Sequence, residues 1–202
     1  MLGVGIGFCR VASLGVDPFA CMILGLSGFF QSLGLSFMTY GTVTVVVNCL
    51  LFLVVWFNLR SSIGLGTIIN MLFVGYVADF TVFLIGLAGL TFPIPMRVLF
   101  LIGGIFFITS GLGLYLEAEW GVAPYDTMAA IIQKWSKDRI KFQYGRIMSD
   151  FVCVVIGVCG CLLSGNSVFT VLGFGTVLCV CVNGPLIAFF RKLVRISKEK
   201  SS

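Results

Sequence analysis

The chain has 202 residues, of which 59% are hydrophobic and 10% are charged. An ordinary soluble domain carries about 25% charged residues, so this chain cannot cover a water-facing surface. A helix of about 20 apolar residues crosses a bilayer. Stretches that are long enough for this, with at most one charge each, recur along the chain at 11–59, 61–96, 98–116 and 151–190. They predict an all-α integral membrane protein that is embedded in the lipid bilayer.

Charge and cysteine placement exclude other classes. The net charge is +5, but the basic residues cluster at Lys134–Arg146 and Arg191–Lys200, beside apolar runs. This pattern indicates cytoplasmic loops rather than nucleic-acid binding. The chain has no histidine, and the pair Cys159 and Cys161 would point to opposite sides of a helix. We therefore expect no nucleic-acid partner, no metal site and no cofactor.

An internal repeat divides the chain. Three short motifs of the first half return in the second half, in the same order and at nearly constant spacing. The matched pairs are Gly15–Phe19 with Gly121–Tyr125, Tyr40-Gly41 with Tyr144-Gly145, and Gly64–Thr67 with Gly173–Thr176. The sequence therefore predicts a first repeat over residues 1–90, a second over 96–190, and a basic cytoplasmic tail over 191–202.

Each half has the same predicted order of elements. A leading apolar segment is followed by a Gly-Val-x-Pro motif, a short half-helix and two spanning helices. The leading segment of the first half, Met1–Leu14, is too short to span, so we expect a truncated leading helix there. The other predicted helices are Asp17–Gln31, Gly41–Phe57 and Gly66–Leu90 in the first half, and Ala123–Trp135, Gly145–Leu163 and Ser167–Phe190 in the second.

The charges indicate that the two halves are inverted. Three spans per half is an odd number, so the second half should lie upside down relative to the first. The link Lys134–Arg146 is rich in basic residues, whereas its counterpart Ser32–Tyr40 has no charge. The sequence predicts a helical bundle of about six spans from two inverted three-helix repeats. With basic segments inside, both termini are predicted to be cytoplasmic.

Several motifs resemble those of the YczE/YitT-like bacterial membrane proteins, especially the YczE branch. The likeness is carried by Trp120–Asp126 and Leu14–Ala20, by Gly64–Asn70, and by Gly175–Val177 with Gly184–Ile187. Two positions depart from the family pattern, with Ala20 in place of an acid and Leu65 in place of isoleucine. The resemblance implies a multi-pass protein of the bacterial plasma membrane and fixes the architecture better than the activity.

The two Gly-Val-x-Pro motifs are candidate ligand sites. Gly15 and Gly121 would permit tight turns, and Pro18 and Pro124 suit the first position of a helix. In a functional interpretation, the two half-helices present free N–H groups and a positive dipole end to a ligand at the repeat interface. In the alternative, they are interfacial helices that only join two spans.

Three polar residues complete the predicted ligand-binding set. Asp79 lies deep in an apolar run, where an acid faces either a cavity or a hydrogen-bonding neighbour. Asn70 lies nine residues earlier, on the opposite side of an ideal helix, so the two should not share a site within that helix. Asp126 clusters with Glu117 and Glu119, either as a ligand site or as interfacial acids that balance the basic link Lys134–Arg146. Asp150 is predicted to pair with Arg146, one turn away.

These features favour a small-solute or ion transporter. The alternative is a non-transporting scaffold or accessory partner of another membrane or secretion system. An enzyme is not expected, because the sequence offers no histidine, metal cluster or nucleophile–base pairing. The small size leaves room for a homodimer.

Overall fold

The computed structural model describes residues 1–87, 92–118, 120–140, 142–170 and 172–201. Within these residues the chain folds into eight α-helices joined by short loops. The helices are α1 (Leu2–Ala12), α2 (Pro18–Ser32), α3 (Tyr40–Asn58), α4 (Leu65–Gly86), α5 (Ile94–Glu117), α6 (Pro124–Trp135), α7 (Phe142–Leu163) and α8 (Phe174–Ser201), with single 3₁₀ turns at Arg60–Ser62 and Val168–Thr170.

Four helices of the described chain are long and apolar enough to cross a membrane, namely α3, α4, α5 and α7. Helix α8 would be a fifth if its two parts, which meet at an angle of 48°, form one bent span. Helices α1 and α2 are apolar but shorter. The architecture is that of an all-helical protein compatible with a membrane, and the four or five candidate spans are fewer than the six predicted.

Where the structure describes them, the predicted helix bounds hold to within one turn except for the last helix; the predicted end at Leu90 lies outside the described residues. That helix begins at Phe174 rather than Ser167. The break that was predicted at Ser164–Asn166 extends further, because the Gly175 N–H donates to the carbonyl of Leu14 from the other half (2.7 Å). At its far end α8 continues to Ser201, so the segment predicted as a separate basic tail is largely a helical extension.

Close helix packing depends on glycine. Helix α1 packs against both α4 and α5, and α5 packs against α1 and α8. A Cβ atom added at Gly5 would lie 2.8 Å from the carbonyl oxygen of Gly104 in α5. Cys161 is buried whereas Cys159 is exposed, which confirms that this pair points to opposite sides of α7. The core therefore combines larger apolar side chains such as Ile23 and Ile105 with buried cysteines, and glycines let the helices approach closely.

Candidate functional site

The two Gly-Val-x-Pro motifs form the turns that the sequence predicted. Gly15 and Gly121 have φ angles of +107° and +105°, a region that residues with a Cβ atom rarely adopt. Pro18 and Pro124 each occupy the first position of a short helix, α2 and α6 respectively. Asp17 caps α2, because its side chain accepts a hydrogen bond from the Ala20 N–H (3.1 Å).

Each Gly-Val-x-Pro loop contacts a Gly-x-Gly-Thr segment of the opposite half. These segments are Gly64–Thr67 and Gly173–Thr176. The Gly66 N–H donates to the Trp120 carbonyl (2.7 Å), and the Thr67 hydroxyl donates to the Val122 carbonyl (2.9 Å). In the other half, a Cβ atom at Gly15 would lie 2.7 Å from the Thr176 hydroxyl. Both motifs were identified from the sequence, but the contact of each motif with the other half of the chain was not predicted.

The N-terminal ends of the two short helices meet. Phe19, the second residue of α2, stacks on Tyr125, the second residue of α6, with ring centroids 4.5 Å apart. From this stack α2 runs along α7 in the direction of the C-terminal end of α7. A Cβ atom at Gly25 would overlap the Gly157 carbonyl of α7. Helix α6 runs the opposite way, and a Cβ atom at Gly145 would lie 3.0 Å from its Ala129 carbonyl.

The stack lies about one third of the way along α7. The Tyr125 hydroxyl donates to Asp150, which is eight residues after the first residue of α7. At 1.5 Å per residue this is about 12 Å into a helix about 33 Å long. Two short helices therefore meet, N-terminus towards N-terminus, alongside a candidate span rather than at its end.

A central charge cluster surrounds this point, formed by Tyr125, Asp126, Arg146 and Asp150. The Arg146 guanidinium lies 2.7 Å from Asp126 and 3.3 Å from Asp150, and it covers the Tyr125 ring at 4.6 Å. The predicted pairing of Arg146 with Asp150 is confirmed. One cation thus serves two carboxylates, and the side chains of both acids are about one-fifth exposed. Among the residues that the structure describes, no His, Cys, Asp and Glu side chains group in threes or more to hold a metal ion.

Asp79 forms a separate polar site with Arg10. Its Oδ1 lies 2.7 Å from Arg10 Nη1, and its Oδ2 accepts a hydrogen bond from the Gly41 N–H at 2.7 Å. The guanidinium also lies 4.4 Å from the Tyr40 ring centroid. The sequence identified Asp79 but missed Arg10, because Arg10 lies 69 positions away at the end of a helix too short to span. The one feature of the sequence that could have identified Arg10 is that no other basic residue occurs among the first 59 residues.

Two cavities adjoin these features. One of about 550 Å³ is lined by Arg10, Asp79, the start of α3, the end of α2 and the loop after α7. The other, of about 450 Å³, lies where the Gly64 segment meets the Gly121 turn. Both volumes fall in the range of small-molecule sites, about 300–1,000 Å³.

The seven predicted ligand residues do not form one site. Gly15 and Gly121 lie at the two motif crossings, Pro18 and Pro124 start the short helices, and Asp126 belongs to the central charge cluster. Asp79 lies beside Arg10. Asn70 lines neither cavity. Nine residues of α4, about 13 Å along its axis, separate Asn70 from Asp79.

The predicted role of Glu117 is corrected. One of its two predicted roles was to balance the basic link Lys134–Arg146, but its carboxylate binds Arg191 (2.8 Å) and Arg195 (3.0 Å) of α8. The reason is that α5 and α8 pack side by side, which brings the predicted tail against the end of α5. Asp126 does pair with the link, through Arg146. Glu119 lies outside the described residues.

Comparison with known proteins finds two relatives that align with nearly the whole chain. The chain is 25% identical over 194 residues to a Bacillus subtilis protein named "Uncharacterized protein YyaS", covering 96% of this chain and 89% of the relative. It is 28% identical over 197 residues to an "Uncharacterized protein" of Haemophilus influenzae, covering 96% and 80%. No solved structure matches. The resemblance to the YczE branch stays a prediction. Residues 1–192 match the family described as "Family of unknown function (DUF6198)", and the chain belongs to that family.

Proposed function

We propose that this protein is a small-solute or ion transporter whose two halves lie in the membrane in opposite orientations. The observation that carries the proposal is the meeting of α2 and α6, N-terminus towards N-terminus, beside the central charge cluster. Helix N-termini carry partial positive charge and unpaired N–H groups. Broken helices of this kind, paired at a repeat interface, form the substrate sites of inverted-repeat transporters.

The helix contacts support the inverted arrangement. Helix α1 contacts α4 as α5 contacts α8, and α2 contacts α7 as α6 contacts α3. If each helix is replaced by its counterpart in the other half, every one of these contacts becomes the other contact of its pair. The crossing of each Gly-Val-x-Pro loop with the Gly-x-Gly-Thr segment of the other half follows the same exchange. Six spans would complete this pattern if α1 and α8 each count as one.

The cost of irregular backbone favours transport over a purely structural role. Backbone that leaves a helix at membrane depth is tolerated where it lies within protein or lines a water-filled cavity. Charged groups at such depth are expensive and usually mark a solute or ion pathway. Helix ends and charged side chains occur together where Phe19 stacks on Tyr125.

The distribution of basic residues supports one orientation. Lys134 Nζ donates to the Asn58 carbonyl (2.6 Å), so the basic link and the Arg60 turn lie at the same end of α3. Under the positive-inside rule this end faces the cytoplasm. The proposal places the chain in a bacterial plasma membrane with both termini on the cytoplasmic side.

Flux through liposomes tests transport. We expect wild-type protein to carry at least one solute from a panel of Na⁺, K⁺, Cl⁻, phosphate, organic acids, sugars and amino acids, above the rate of empty liposomes. Tyr125→Phe keeps the ring on Phe19 but removes the hydroxyl that binds Asp150. If the lost hydrogen bond raises the activation free energy of the rate-limiting step by about 1.4 kcal/mol, the flux falls about tenfold.

Tyr144→Phe is the matched control, because the Tyr144 side chain is exposed. We expect its flux to equal that of wild type. Folded protein that carries none of these solutes would contradict transport and favour the non-transporting membrane partner.

A further inference from the structure

The cavity beside Arg10 lies between helix ends of opposite polarity. Thr39 and Tyr40, at the N-terminal end of α3, line one part of it. Gln31, in the last turn of α2, and Asn166, just after α7, line another. Helix N-termini favour anions and helix C-termini favour cations. The cavity therefore offers different surroundings to the two ends of a small ligand.

Arg10 is held in place and keeps hydrogen-bonding capacity. Its side chain is 17% exposed, and among the described contacts one of its five N–H groups, on Nη1, bonds to Asp79. Each oxygen of Asp79 already accepts one hydrogen bond, from Arg10 and from the Gly41 N–H. A guanidinium with free donors next to a helix N-terminus is suited to a carboxylate.

The opposite part of the cavity offers an acceptor for a cation. The Gln31 side chain donates through Nε2 to the Met38 carbonyl at 2.9 Å. This leaves its side-chain oxygen, which is an acceptor only, at the negative end of α2. The hydroxyl of Ser27, one turn earlier in α2, also lines the cavity. An ammonium group is the ligand group that such oxygens suit.

The charge balance points to a ligand without net charge. Arg10 and Asp79 neutralise each other, so a ligand with one positive and one negative group leaves the cavity balanced. We propose that this cavity binds a small zwitterion, with its carboxylate on Arg10 and its ammonium group towards Gln31. The inference rests on the proposed function, for which it names the substrate class. A volume of about 550 Å³ admits a solute of amino-acid size.

Thermal unfolding of the purified protein in detergent tests the proposal. The probes are L-alanine, L-serine and β-alanine. Each is compared with its primary amide, which lacks the carboxylate, and with its N-acetyl derivative, which lacks the ammonium group. We expect at least one zwitterion to raise the melting temperature of wild type. Neither of its two derivatives should do so.

Two variants assign this shift to the cavity. Arg10→Gln/Asp79→Asn removes both charges together and keeps hydrogen-bonding groups at both positions, so it should fold and lose the shift. Gln31→Leu changes an exposed side chain and should reduce the shift even if the double variant fails to fold. Arg60→Gln, at the other end of α3, is the control and should keep the full shift.

The outcomes separate the site from transport. The site is overturned if no zwitterion raises the melting temperature, if an amide or N-acetyl derivative does so equally, or if both variants keep the shift. Zwitterion binding without flux of any solute of the liposome panel would support the site and contradict transport. Flux of another solute without zwitterion binding would support transport and overturn the site.

Discussion

Arg146→Gln is expected to destabilise the protein by about 3 kcal/mol, the lower end of the range for breaking a buried ion pair. The loss arises because Asp126 and Asp150 would remain partly buried between α6 and α7 without their cation. The lower end of the range applies because the Arg146 side chain is 34% exposed. Equilibrium unfolding in mixed detergent micelles would measure the change.

A rescue variant separates charge from packing. Arg146→Gln/Asp126→Asn/Asp150→Asn removes the two uncompensated acids and should recover most of the lost stability. Arg139→Gln is the control, since Arg139 is an exposed residue of the same basic link. If Arg146→Gln unfolds at the same denaturant concentration as Arg139→Gln, the central charge cluster does not stabilise the fold.

Gly25→Ala is expected to cost about 3 kcal/mol, at the upper end of the usual range for overpacking. An added Cβ atom would overlap the Gly157 carbonyl, so α2 and α7 would have to move apart. Because α2 begins at the Phe19–Tyr125 stack, the same movement should disturb the meeting of the short helices and reduce flux. Thermal unfolding and liposome flux would measure the two effects.

The same substitution at another glycine provides the control. Gly86 is the last residue of α4, and a Cβ atom there would meet no atom within 4 Å. Gly86→Ala should therefore be neutral or stabilising by up to about 1 kcal/mol, because it restricts the unfolded chain. Equal stability of Gly25→Ala and Gly86→Ala would show that α2 and α7 do not approach closely.

The helices could be predicted from the sequence because their signals are local. Long apolar runs define α3, α4, α5 and α7, and Gly15 with Pro18 marks the start of α2 as Gly121 with Pro124 marks the start of α6. The start of α8 was missed for the opposite reason. Its first turn is held by a hydrogen bond to Leu14, about 160 residues earlier in the chain, which no local pattern reports.

The candidate site was less predictable than the fold. Asp79 and Asp126 were identified because acids in or near apolar runs need partners. Their partners were only partly found. Arg146 was visible as a helical neighbour of Asp150, whereas Arg10 and the Phe19–Tyr125 stack depend on contacts between distant segments. Helical periodicity within α4 gave no information on which other helices surround Asp79.

The central claim is that the two short helices enter the membrane from opposite sides. A cysteine added near the C-terminal end of each short helix tests it, through labelling with a membrane-impermeant maleimide in cells that produce Ser32→Cys or Lys137→Cys. Wild type is the control for native cysteines. The account predicts that Ser32→Cys is labelled in intact cells and that Lys137→Cys is labelled only after the membrane is permeabilised. Labelling of both positions from the same side would contradict it.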